Sequence, residues 1–254
     1  MATGGGIWVA AGALTTFAGI QFDAGKENPY SYSEAKRLLG LLMEELRKRK
    51  RLANQLGANL VAPGRPAITG AQSDIVWNYI PLVKAQGKSN FTSYPHLTLA
   101  IRRDRVIVQV TIPNGLDRSL RRALLSGGYD GFKAMVNAFQ RSTAPILKLD
   151  SGARPFVEIL QRHFLSRRSP PISDAELKFD PRTVVHDKNR IKIQEEWLKA
   201  TFEVFSNRRS NINIGIGLAF PYGASSSVRN SAFADVVEKS WLACRPILTS
   251  MGLI

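Results

Sequence analysis

Two stretches of this chain alternate apolar with small or polar residues at period two, a spacing that suits an extended strand and not a helix. In residues 96–112, Leu97, Leu99 and Ile101 alternate with His96, Thr98 and Ala100. Val106, Val108 and Val110 then alternate with Ile107, Gln109 and Thr111. The "RRDR" between them reads as a turn, so the segment predicts an antiparallel hairpin. In residues 212–220, Ile212, Ile214, Ile216, Leu218 and Phe220 alternate with Asn213, Gly215, Gly217 and Ala219. That is a strand with one apolar face and one bare face, where another backbone or a ligand can approach closely. Strands of this kind bury their apolar face against other elements, and helical stripes elsewhere supply the cover. The expected fold is α+β, an antiparallel hairpin plus further strands packed with about six helices.

The helical stripes are legible. Residues 31–57 predict one helix, with Ser31 and Glu34 as a capping box and Leu39, Leu42, Leu46, Ala53 and Leu56 as its apolar stripe. The stripe is interrupted by "RKRKR", Arg47, Lys48, Arg49, Lys50 and Arg51, which leaves that turn no dry side. Such a turn projects into water or leans on a polyanion. Residues 113–128 predict a helix with Asn114 as N-cap and Asp117 in its first turn, and residues 129–141 carry a core pattern of Phe132, Met135, Val136 and Phe139. Residues 153–168 predict a helix with Pro155 in the first turn and His163 beside the Phe156, Leu160 and Phe164 stripe. Residues 189–205 predict another, with Glu195 and Lys199 at i, i+4. A last helix carries Phe233, Val236, Val237, Trp241, Cys244 and Leu248 on one face, with Pro246 kinking or ending it.

At 254 residues the chain is long enough for one compact domain with a sizeable core. Residues 59–74 are rich in Pro and Gly and mark a possible internal boundary; residues 84–95 read as a second loop. The apolar residues 7–20 are too short to span a bilayer and lack a signal peptide's positive start, so they read as strand or core packing. A single cysteine, Cys244, excludes an internal disulfide, and three well-separated histidines argue against a structural zinc site. These features point to a soluble cytoplasmic protein.

Charge is the strongest functional signal. Thirty-five Lys and Arg against 20 Asp and Glu give +15, and arginine outnumbers lysine 22 to 13. The excess is localised, because residues 31–170 sum to +14 and residues 171–254 to +2. Arginine's planar fork suits paired contacts to phosphate, so the bias favours a nucleic-acid partner. Three groups carry it: the "RKRKR" run, the hairpin tip with Arg102, Arg103 and Arg105, and Arg118, Arg121 and Arg122, which share one helix face.

Two further sets follow from motif chemistry. Ser225, Ser226, Ser227 and Arg229, ahead of a helix, could hold an anion on free backbone N–H groups, or form no more than a capped turn. A restriction-type nuclease needs an Asp and then E-x-K, the carboxylates holding Mg²⁺ and the lysine supporting the attacking water. Asp150, Glu176 and Lys178 occur in that order, although "SDAELK" reads equally well as a helix start. The dinucleotide fingerprint fails, because Phe220 stands where its third glycine belongs, and there is no G-K-[ST] or G-x-S-x-G.

The order of elements over residues 96–205, with "RRAL", "GFKAMV", "PFVEILQRHFLSRRSPPISDAEL" and the later "WLACRPILTSMG", resembles a widespread bacterial family of conserved hypothetical proteins. The resemblance implies an α+β domain and no assigned activity, and it carries no functional residue across. The leading expectation is a nucleic-acid-binding protein that contacts the phosphate backbone as a component of a larger bacterial assembly. The alternatives are an Mg²⁺-dependent nuclease, the one reading that implies a cofactor, and a scaffold module whose basic face meets an acidic protein.

Overall fold

A computed structural model describes residues 32–61, 68–69, 75–82, 94–113, 118–163, 172–181, 191–206 and 212–254. The capping box at Ser31, the apolar residues 7–20, most of the candidate boundary at 59–74, most of the 84–95 loop, and Asn114 and Asp117 lie outside them.

The α+β expectation holds. Seven strands form one antiparallel sheet: β1 (Ile68–Thr69), β2 (Ile75–Pro81), β3 (His96–Arg102), β4 (Arg105–Ile112), β5 (Arg154–His163), β6 (Ile172–Phe179) and β7 (Ile212–Pro221). Their spatial order is β1-β2-β3-β4-β7-β5-β6. The anticipated β3–β4 hairpin forms, with Leu97 opposite Val110 and Ile101 opposite Val106. β7 inserts between β4 and β5, with Val108 opposite Leu218 and Val157 opposite Ile216.

The helices are α1 (Tyr32–Arg47), α2 (Lys50–Leu56), α3 (Arg118–Leu125), α4 (Gly128–Leu149), α5 (Ile191–Ser206), α6 (Phe233–Ala243) and α7 (Arg245–Ser250). The main core joins Leu39, Leu42 and Leu46 of α1 to Val108 of β4, Leu218 of β7, Phe139 of α4 and Trp241 of α6. The indole Nε1–H of the fully buried Trp241 donates to the Thr98 carbonyl at 3.2 Å, so its one polar atom is satisfied. Pro246 lies in the first turn of α7 and ends the helical run before it, as its missing N–H requires.

Two expectations are corrected. Residues 153–168 do not start a helix: Arg154–His163 is strand β5. It runs between β7 and β6, and Val157 and Ile159 on one face and Phe156 and Leu160 on the other are all buried. A strand that is apolar on both faces loses its period-two signature, and here the leftover pattern imitated a helical stripe. The predicted 31–57 helix is broken at Lys48–Arg49, so the "RKRKR" run straddles a joint instead of one helical face. The second piece closes on Gly57, at φ 66°, whose N–H bonds Ala53 O while Ala58 N–H reaches Leu52 O. Glu195 of α5 also bonds Lys133 of α4, which ties the two helices together.

On the sheet's second face, Phe156, Ile107, Ala219 and Ala100 form a smaller buried cluster beside Trp77. His96, on the same face, stacks on Trp77 and is 3 % exposed. Its Nδ1 lies 3.0 Å from the Tyr94 carbonyl, but burial dominates and lowers the imidazole pKa to about 4. The unfolded chain therefore binds a proton near pH 6.5 that the folded chain refuses until about pH 4. Stability falls as pH drops across that window, by up to about 3 kcal/mol at 1.36 kcal/mol per pKa unit. Urea midpoints at pH 7 and pH 5 check this, and His96→Gln should flatten the difference.

Candidate nucleic-acid interface

Two sequence-predicted groups converge on one residue, Tyr222, which follows β7. The Tyr222 N–H donates to the Asp104 carbonyl at 3.0 Å. Its hydroxyl lies 2.7 Å from the Arg102 carbonyl and 3.1 Å from the Arg105 carbonyl. The hairpin tip is thus fastened through backbone groups, which leaves its side chains available. Arg229, in the short 3-10 turn Ser227–Arg229, donates to the Tyr222 carbonyl at 2.9 Å. Arg154, at the start of β5, joins the same end of the sheet, because it pairs with Ala219 while Arg105 pairs with Pro221. Sequence reasoning missed Arg154; no local signal marks it, and only the strand register brings it here.

The electrostatics of this end are one-sided. Arg103, Arg154 and Arg229 are exposed, and Arg102 and Arg105 are half-buried. Asp104 is already engaged by Arg105, with Nε 2.8 Å from Oδ2. The hydrogen bond from Arg105 is the main reason the Asp104 carboxyl sits below its ordinary range, and the same bond raises Arg105. Arg102 Nε is buried and has no hydrogen-bond partner, which leaves that donor unsatisfied. Arg154 spends one nitrogen, Nη1, on the carbonyls of Ser151 and Ala153, at 2.8 and 3.1 Å.

The loop of Ser225, Ser226 and Ser227 does hold an anion, but that anion is the chain's own Asp150. Asp150 is 2 % exposed and follows α4. Its Oδ2 accepts the Ser225 hydroxyl and, at 3.0 Å, the Ser227 N–H, while Oδ1 accepts the Gly152 N–H at 3.0 Å. Burial raises the Asp150 pKa, yet the serine and backbone hydrogen bonds outweigh it and hold the carboxyl below its usual range. Ser226 is exposed and Arg229 turns to Tyr222. The candidate metal-holding aspartate and the candidate anion loop are therefore two halves of one internal contact.

Glu176 and Lys178 lie on an edge strand, β6, and not at a helix start. The structure does not bring them to Asp150. Lys178 is opposite Glu158, its ion-pair partner at 3.0 Å, and Glu176 is opposite Leu160. From Arg154 to Leu160 a strand advances roughly 20 Å. Carboxylates that share one Mg²⁺ must sit within about 4 Å of each other, given metal–oxygen distances near 2 Å. Among the described residues no group of three or more His, Cys, Asp or Glu side chains is placed to hold a metal ion.

The "RKRKR" run divides its work. Arg49 turns inward to three carboxylates: Glu45 at 2.9 Å, Asp235 at 2.7 Å and Glu238 at 3.9 Å. Lys48 pairs with Glu45 at 3.3 Å, and Arg47 reaches the Leu60 carbonyl at 3.5 Å. Lys50 and Arg51 stay exposed. In α3, Arg122 is exposed and burial lowers the pKa of Arg121, which remains charged at neutral pH; the Arg118 side chain lies outside the described residues.

No protein-family model matches the chain, and no curated protein matches it. Neither an activity nor a partner can therefore be carried over from a relative. No helix among the described residues is long and apolar enough to cross a membrane.

Proposed function

We propose that the protein binds nucleic acid by contacting its phosphate backbone through the arginines gathered around Tyr222. The observation that carries this reading is their convergence: Arg102, Arg103, Arg105, Arg154 and Arg229 come from three separate parts of the chain to one end of the sheet. The hydroxyl and backbone N–H bonds of Tyr222 to carbonyls of the tip hold it in place before any ligand arrives, so little ordering entropy opposes binding. Guanidinium groups match phosphate oxygens in geometry as well as in charge. Such contacts position a protein on nucleic acid without reading base sequence, so affinity is expected to vary little with sequence.

The test is a variant carrying Arg102→Ala, Arg103→Ala, Arg154→Ala and Arg229→Ala, titrated into labelled DNA and RNA. Each lost phosphate contact removes roughly 0.9 from the slope of log K against log salt, so four should flatten it by about 3.5. Affinity should fall on the order of 100-fold at about 0.1 M salt. A folded variant with unaltered affinity and slope removes this surface from consideration.

A further inference from the structure

A second charged surface lies on the helices that cover the other face of the sheet. α6 packs on β4 and β7, α2 packs on α6 and α7, and α3 packs on α7. Across α2, α3, α6 and α7 the exposed cations are Lys50, Arg51, Arg122, Lys239 and Arg245. The same four helices contain two carboxylates, Asp235 and Glu238. Arg49, at the joint ahead of α2, reaches both, at 2.7 and 3.9 Å, Arg51 Nε lies 3.9 Å from Glu238 as well, and Glu238 is itself buried. The helical surface is therefore cationic with its own acids neutralised from within. It adjoins the Tyr222 cluster, because Arg229 precedes the first residue of α6 by four positions.

The width of this surface bears on the ligand. Packed helices are about 8–10 Å apart, so the steps from α2 to α7 and from α7 to α3 carry the cations over up to roughly 20 Å. That exceeds the roughly 12 Å width of a major groove, so cations on the outer helices can reach phosphates on both of its sides. A single strand offers one line of phosphates and is normally held by stacking its bases on aromatic rings. Among the aromatic rings whose side chains are described, none is exposed.

We infer that the α2–α3–α6–α7 surface is a second phosphate-contact face, that the ligand is double-stranded nucleic acid, and that Arg49 is a positioning residue that silences Asp235 and, with Arg51, Glu238. The inference rests on the reading that the protein binds nucleic acid, and it names the class of nucleic acid. Arg49 itself does not touch the duplex. Its removal frees the half-exposed Asp235 and leaves the buried Glu238 to Arg51 alone, and like-charge repulsion from Asp235 then weakens binding.

The experiment uses the full chain with a labelled duplex of about two helical turns and with its single strand. The wild type is expected to bind the duplex more tightly. Arg122→Ala, Lys239→Ala and Arg245→Ala combined should flatten the duplex salt slope by roughly 2.7 and raise Kd on the order of 100-fold at about 0.1 M salt. Arg49→Ala should weaken duplex binding, and adding Asp235→Asn with Glu238→Gln should restore it. Failure of that restoration would give Arg49 a direct contact and overturn its positioning role. Equal affinity for the single strand, or a wild-type slope in the triple variant, overturns the second face while leaving the Tyr222 surface intact. A wild type that binds no nucleic acid sinks both readings together. Circular dichroism of each variant separates lost contacts from lost folding.

Discussion

Gly152→Ala is expected to destabilise the protein by about 3 kcal/mol, at the upper end of what overpacking usually costs. A Cβ on Gly152 would lie 1.9 Å from the Ala224 carbonyl oxygen and 2.6 Å from the Ser225 nitrogen. Those are backbone atoms, so no side chain can swing aside to make room. The loop after β7 would have to retreat, and with it the Ser225 and Ser227 contacts to Asp150. Gly40 is the internal control. It lies within α1, a Cβ there meets nothing within 4 Å, and alanine is a better helix former than glycine. Gly40→Ala should therefore stabilise by about 0.5–1 kcal/mol. Thermal melts of the two variants should move in opposite directions, and equal shifts would contradict the close approach at Gly152.

Asp150→Ala is expected to cost a similar amount, about 3 kcal/mol, by a different route. Its carboxylate satisfies the Gly152 N–H, the Ser225 hydroxyl and the Ser227 N–H in a buried setting. Removing it strands donors that have no water to turn to. The wild-type contact also has a pH signature. The folded Asp150 pKa lies below the unfolded value of 3.8, so the contribution is fully present above that value. It is lost as pH falls through the folded value. The His96 window lies higher, between about pH 6.5 and 4, so the two acid limbs separate. Denaturation midpoints at pH 7, 5 and 3 should show Asp150→Asn lowering stability at pH 7 and pH 5 and flattening the fall between pH 5 and pH 3, with the fall between pH 7 and pH 5 unchanged.

What the sequence made legible was whatever repeats locally. The hairpin and β7 alternate at period two because one face of each is fully apolar, and both were readable. β5 was not, since Phe156, Val157, Ile159 and Leu160 are buried on two faces and their spacing also fits a helix. The site was legible in its parts and not in its assembly. Hairpin-tip arginines and Arg229 could each be nominated, but Tyr222, which joins them, is more than a hundred residues from the tip. Asp150 and Ser225 are 75 residues apart, and nothing local tells an internal anion from an external one. A weak signal was present: "DSG" at Asp150 is an Asx-turn sequence, and Asp150 Oδ1 does accept the Gly152 N–H. The charge of "RKRKR" misled by its density. Its central Arg49 is matched by Asp235 and Glu238 from a helix far along the chain, and such pairs leave no trace in composition.

The central claim is that the +15 charge is displayed for phosphate and not merely for solubility. Fluorescence anisotropy of the wild-type chain against a labelled duplex, from about 50 to about 300 mM salt, tests it most directly. Engagement of the five arginines around Tyr222 predicts a linear fall of log K with log salt at a slope of about −4 or steeper. No binding at about 50 mM salt, or binding with a slope near zero, would contradict the account, and binding to polyglutamate under the same conditions would assign the arginines to an acidic protein.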